Sequence, residues 1–141
     1  MCGGTESKLA SWWKAGIRDL VRAMLKAGVF DDFKGATTLL LWGDAEGMIS
    51  LRSSLDALRF GNSTGFAIDG PAGTVTIRQG ESSTLTTDGG ALCWRCSRET
   101  IDLAADLTAP LVSQAGHQFL DMSGMAERAI IARDEYPADL R

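Results

Sequence analysis

The chain is short of the residues that usually announce chemistry. It has one histidine, one tyrosine, three prolines and three cysteines in 141 residues. A single histidine leaves His117 as the only imidazole base for serine or cysteine acyl transfer, and no G-x-S-x-G elbow accompanies it. An odd cysteine count, with two of the three close together, is unlike a secreted disulfide framework. No apolar run approaches the roughly 18–20 residues that span a bilayer, and the N-terminus lacks a basic-then-apolar leader. The expectation is a cytoplasmic chain with no membrane span.

Positive charge is also scarce outside the N-terminal region. Residues 1–34 carry six basic against four acidic side chains, and residues 35–141 carry eight against fourteen. An excess of that sign repels a phosphate backbone over most of the surface, so nucleic acid is disfavoured, no nucleic-acid partner is expected, and a basic protein is favoured. What is present is ordinary for a globular domain: 45% apolar and 23% charged residues, enough at this length for one core without disulfides.

The clearest structural stretch is 37–60, TTLLLWGDAEGMISLRSSLDALRF. A continuous apolar run predicts a strand covered on both faces. Asp44 is placed to cap the following helix, Glu46 adds favourable charge to its first turn, and Met48, Leu51, Leu55 and Leu58 form its buried face. Glycines beyond a strand suggest an anion loop. Asp44 and Glu46, however, already occupy that positive helix end, and neither the Lys-Ser/Thr of a P-loop nor G-x-G-x-x-G is present.

Upstream, Ser7 is placed to cap a helix reaching about Gly28, with Leu9, Trp13, Ile17, Leu20, Met24 and Ala27 at spacings of three and four. Lys14, Arg18, Arg22 and Lys26 form a basic ridge beside them, read as a solvated face or, with Trp12 and Trp13, a stripe for an anionic surface. Downstream the period becomes two. Strands are expected at 66–68, 74–77, 83–87 and 91–96, as an antiparallel meander broken by glycine turns. Ser97 caps a second helix with Ile101, Leu103, Ala104, Leu107, Leu111 and Val112 inward, kinked or ended by Pro110. Residues 117–122 and 126–132 form a closing hairpin. No internal repeat is visible. The expected fold is α+β: a mainly antiparallel sheet of five to seven strands with two or three helices packed on it, residues 1–34 forming an amphipathic helix and 35–141 a single domain.

Cys93-Trp94-Arg95-Cys96 is the one short chemical motif. Thiols at this spacing suit a redox pair or half a metal site if a turn brings them together, with Cys2 and His117 as the other soft ligands. A strand running through Cys96 would instead put the two sulfurs on opposite faces. Structural cysteines and no cofactor are the expectation.

Acidic residues gather at expected turns and strand ends. Asp44, Glu46, Asp69, Asp121, Asp134 and Glu135, with Tyr136, form a candidate partner-binding rim able to steer a basic protein. Two segments, Trp42-Gly43-Asp44-Ala45-Glu46-Gly47 with its leucine helix, and Gly116-His117-Gln118-Phe119-Leu120-Asp121 followed by Asp134-Glu135-Tyr136-Pro137, together resemble small bacterial immunity-type proteins, the inhibitors of polymorphic toxins. The resemblance implies a non-enzymatic protein that binds a cognate toxin and blocks it. A thiol redox or metal protein built on Cys93 and Cys96, and a structural or homodimeric subunit docked through the basic helix, are the alternatives.

Overall fold

The computed structural model describes residues 23–141. Within them the order is β1 (Leu25–Phe33), β2 (Ala36–Gly43), α1 (Ala45–Arg59), β3 (Gly65–Gly70), β4 (Gly73–Gln79), β5 (Thr84–Asp88), β6 (Ala91–Cys96), α2 (Arg98–Ser113), β7 (Gly116–Asp121) and β8 (Arg128–Arg133). The fold is α+β, with eight strands in two four-stranded sheets and two helices among the described residues. The expected single sheet of five to seven strands is corrected on this point.

Sheet A runs β1-β2-β8-β7 and sheet B runs β3-β4-β6-β5. In each, two antiparallel hairpins meet along a parallel seam, β2 with β8 and β4 with β6. The expected meander therefore does not form: β4 and β6 are neighbours, and β5 is pushed to the edge.

These orders reveal a repeat. Residues 25–79 and residues 84–133 each trace hairpin, helix, hairpin, and exchanging the two halves converts the order of sheet A into that of sheet B. Each sheet thus takes its first hairpin from one half and its second from the other. The sequence hides this because matching positions share a role and not an identity. Asp44 and Ser97 are both N-caps, accepting from the amides of Gly47 and Thr100, while Leu51 and Leu55 of α1 correspond to Ala104 and Thr108 of α2.

The expected N-terminal helix is corrected at its end. Leu25–Phe33 is a strand paired with β2, so these residues belong to sheet A. Leu25, Ala27 and Val29 turn to the core in period two, a pattern that coexists in the sequence with the three-and-four spacing of Leu20, Met24 and Ala27. The remainder of that expected helix, with Trp12, Trp13 and most of the basic ridge, lies outside the described residues.

One core holds both sheets together. Ala27, Leu39, Leu41, Ala129 and Ile131 of sheet A and Val75, Ile77, Leu85 and Trp94 of sheet B face Met48, Leu51, Leu55, Leu58, Ile101, Ala104, Ala105 and Leu111 of the helices. The expected inward face of α2 is right for Ile101, Ala104 and Leu111, but Leu103 is exposed and Ala105 and Thr108 take its place. The helix also passes through Pro110 for a further turn and ends at Ser113. A second cluster on the outer face of sheet A joins Leu40, Trp42, Ile130 and Ala132 to Phe30, Phe33, Tyr136 and Leu140. β2 is thus buried on both faces, as its unbroken apolar run implies.

Candidate interaction surface

Sheet edges decide where a further chain could pair, because an edge strand presents unpaired backbone N–H and C=O groups. Three of the four edges meet another part of the fold. β1 is bulged between Phe30 and Phe33, its Gly28 lies against Pro71, and its Ala27 carbonyl oxygen lies so close to Gly70, at the end of β3, that a Cβ there would collide with it. β5 is met by the loop before β8: the Leu85 amide donates to the Ser123 carbonyl at 3.2 Å and the Met125 amide donates to the Leu85 carbonyl at 3.2 Å. β7 receives no such backbone hydrogen bond on its open side from the described residues.

β7 reads GHQFLD, and its register with β8 puts His117, Phe119 and Asp121 on the outer face of sheet A, opposite Ala132, Ile130 and Arg128. Phe119 is 49% exposed. Its ring meets His117 edge-on with centroids 5.0 Å apart, and the Arg128 guanidinium lies 5.6 Å from its centre. The sequence reading missed Phe119 and Arg128 as surface residues, although period-two alternation along 117–121 places the phenylalanine beside His117 and Asp121.

The acidic rim is only partly assembled. The Asp134 amide donates to the Gly43 carbonyl at 2.9 Å, bringing Asp134, Glu135 and Tyr136 to the end of sheet A where Asp44 begins α1. Glu135 holds Nδ1 of His117 at 2.9 and 3.0 Å, so it reaches the start of β7. Asp134 takes Nε of Arg133 at 3.1 Å. Tyr136 packs edge-on against Phe33 with centroids 5.6 Å apart, and the next carbonyl, of Pro137, accepts from Nε1 of Trp42 at 2.8 Å. This tail segment therefore covers the outer cluster of sheet A with fixed geometry. Asp121 marks the other end of β7, and Asp69 lies on the outer face of sheet B, apart from the rest.

Asp44 is a structural junction. Its Oδ1 accepts from the amides of Gly47 at 2.7 Å and Met24 at 3.1 Å, and its own amide donates to the Met24 carbonyl at 3.0 Å. One carboxylate so caps α1 and pins the entry to β1. Glycine is required at 43 and 47 because a Cβ at either would collide with the Met24 carbonyl oxygen. Glu46, exposed in the first turn, is left as the side chain of this end that faces solvent.

The two thiols are not brought together. β6 runs through Cys96, so Cys96 faces the core while Cys93 faces the outer side of sheet B, and both are buried. A shared ion or a disulfide between them would need β6 to bend. Burial raises the Cys96 thiol well above the ordinary cysteine range, and the neighbouring Cys93 adds to the shift. His117 sits on the other sheet, and among the described residues no three metal-ligating side chains cluster. No helix of the described residues is long and apolar enough to cross a membrane.

Comparison with protein-family models, with characterised proteins and with solved structures finds no match to this chain.

Proposed function

We propose that this chain is a non-enzymatic protein-binding module that receives a basic partner segment along the open edge of β7. The observation that carries the reading is the contrast among the sheet edges: β1 and β3 abut each other, β5 is hydrogen-bonded by the loop before β8, and β7 receives no backbone hydrogen bond on its open side from the described residues. Main-chain hydrogen bonds to such an edge supply affinity, and flanking side chains supply selectivity. Here those side chains are exposed Phe119, with Asp121 at one end of the strand and Glu135 at the other. The finer form of the proposal is an immunity-type inhibitor that neutralises a basic toxin domain, supported by the acidic balance of residues 35–141.

The test is co-expression with the products of adjacent genes, followed by binding kinetics. A cognate partner should protect the β7 amides from hydrogen exchange. Because edge charges act mainly on the association rate, Asp121→Lys with Glu135→Lys should slow association at least tenfold at low salt and flatten its salt dependence. No partner among those products, or a partner that binds both variants at the wild-type rate, would sink the reading.

A further inference from the structure

Arg133 and Gln79 occupy matching places in the two halves. Arg133 pairs with Gly43 and Gln79 with Cys96 across the parallel seams, and Gly43 and Cys96 each directly precede a helix N-cap. From its place Arg133 reaches the end of α2, donating from Nη1 to the Leu111 carbonyl at 3.1 Å and the Val112 carbonyl at 3.2 Å. Leu111 and Val112 stand 14 and 15 residues after Ser97, as Leu58 and Arg59 do after Asp44. Glutamine is shorter and uncharged. Where the second half holds a guanidinium, the first half has a pocket of about 320 Å³ lined by Leu58, Arg59, Gln79 and their neighbours.

The walls set the sign of what would enter. Of the two carbonyls matching those that Arg133 satisfies in α2, that of Leu58 is met locally in α1: Gly61 at φ +77 turns the chain and its amide donates to the Leu58 carbonyl at 3.2 Å, while that of Asn62 donates to Ala57 at 2.7 Å. The charged side chains that line the pocket are both arginines, Arg59 and Arg98. Arg59 gives Nη2 to Asp56 at 2.6 Å and Nη1 to Asp106 at 3.2 Å, but its Nε is buried without a hydrogen-bond partner. Arg98 also lines the pocket, with no partner among the described residues. Phe60, 67% exposed and 5.0 Å from the Arg59 guanidinium, adds a flat apolar surface beside Leu58 and Ile101.

We propose that this pocket is a binding site for a small organic anion, a flat apolar group bearing a phosphate or carboxylate. The anionic oxygens face the Arg98 and Arg59 side chains that line the pocket, and the apolar body rests on Phe60. The site is separate from the β7 edge and does not depend on it.

Amide-resolved NMR titration of the whole chain with phenyl phosphate and with benzoate tests the proposal, inorganic phosphate being the comparison. At least one aromatic probe should give saturable shifts confined to residues 58–61, 79 and 98–101, and should bind at least tenfold more tightly than inorganic phosphate. Arg98→Gln, a change at an exposed side chain, should weaken that binding at least tenfold. Gln79→Arg should abolish it by filling the pocket as Arg133 fills its counterpart. Absence of localised shifts with either probe, equal affinity for inorganic phosphate, or undiminished binding by folded Arg98→Gln protein would each overturn it; if Gln79→Arg fails to fold, Arg98→Gln decides.

Discussion

Residues 25–79 and 84–133 follow one path and finish it differently on the outside. Sheet A carries on its outer face an aromatic and aliphatic cluster sealed by Tyr136, Leu140 and the Pro137 carbonyl. The outer face of sheet B is polar over much of its area, with Thr74, Thr84, Thr86 and Arg95 along β4, β5 and β6. The inner faces are alike because both serve the one core. Conservation of the path with divergence outside is what shared packing predicts: the inner positions are held by burial on both sides of the pseudo-symmetry, and the outer ones only by what covers them. The half whose second hairpin lies in sheet A also supplies the open edge, β7, and the half whose second hairpin lies in sheet B supplies the pocket beside Gln79.

The largest test of this comparison is at the turns that close each edge. Gly70 abuts the Ala27 carbonyl, and Gly124, at φ +98, lies where a Cβ would come within 2.6 Å of the Leu85 carbonyl. Gly70→Ala must separate β3 from β1 and should destabilise by about 3–5 kcal/mol, in the range of mutations that strain a packed backbone. Gly124→Ala should also be costly. Chemical denaturation measures both, and a cost below about 1 kcal/mol for Gly70→Ala would mean that the two sheets are not joined at this point.

A middle-sized effect should separate the helix ends. Arg133→Ala leaves the Leu111 and Val112 carbonyls without their charged donor and should cost about 1.5–3 kcal/mol, the range for hydrogen bonds to charged groups. Gln79→Ala at the matching place should cost less than about 0.5 kcal/mol, as for a surface change away from such features. Equal losses would remove the distinction between a remotely capped α2 and a locally capped α1.

Much of this was legible locally. The caps Asp44 and Ser97, the leucine face of α1 and the closing hairpin all rest on neighbours in sequence, and each stands where the spacing puts it. What failed was of two kinds. Residues 25–28 satisfied both a helical and a period-two pattern, and pairing with β2 selected the strand. The parallel seams join segments far apart, Thr38 with Arg128 and Val75 with Leu92, and no local signal specifies such a match. The same limit applies to the surface: that His117 meets Glu135 follows from β8 and the tail returning beside β7, while separation of Asp69 from the other acids follows from there being two sheets.

The smallest effect lies at the pair Gly43 and Cys96, the residues that lead into the two N-caps. Gly43 is required by the close approach of Met24; the matching Cys96 is buried in the core, its thiol pKa raised by desolvation and by Cys93 above the ordinary value of 9.0. In the unfolded chain that thiol ionises near its ordinary value, while in the folded chain it stays protonated to higher pH. The folded state therefore binds the extra proton, and stability contributed by this group is fully present below pH 9 and is lost as pH rises above it. At pH 10 the loss should reach about 1.4 kcal/mol, one unit of pH beyond the unfolded pKa. Tyrosine and lysine also titrate there, so the measurement is a difference: Cys96→Ala should cost stability at pH 7 and recover about that amount relative to wild type between pH 8 and pH 10. Parallel pH profiles for the two proteins would mean that Cys96 ionises as easily folded as unfolded, and that the place matched to Gly43 is open to water.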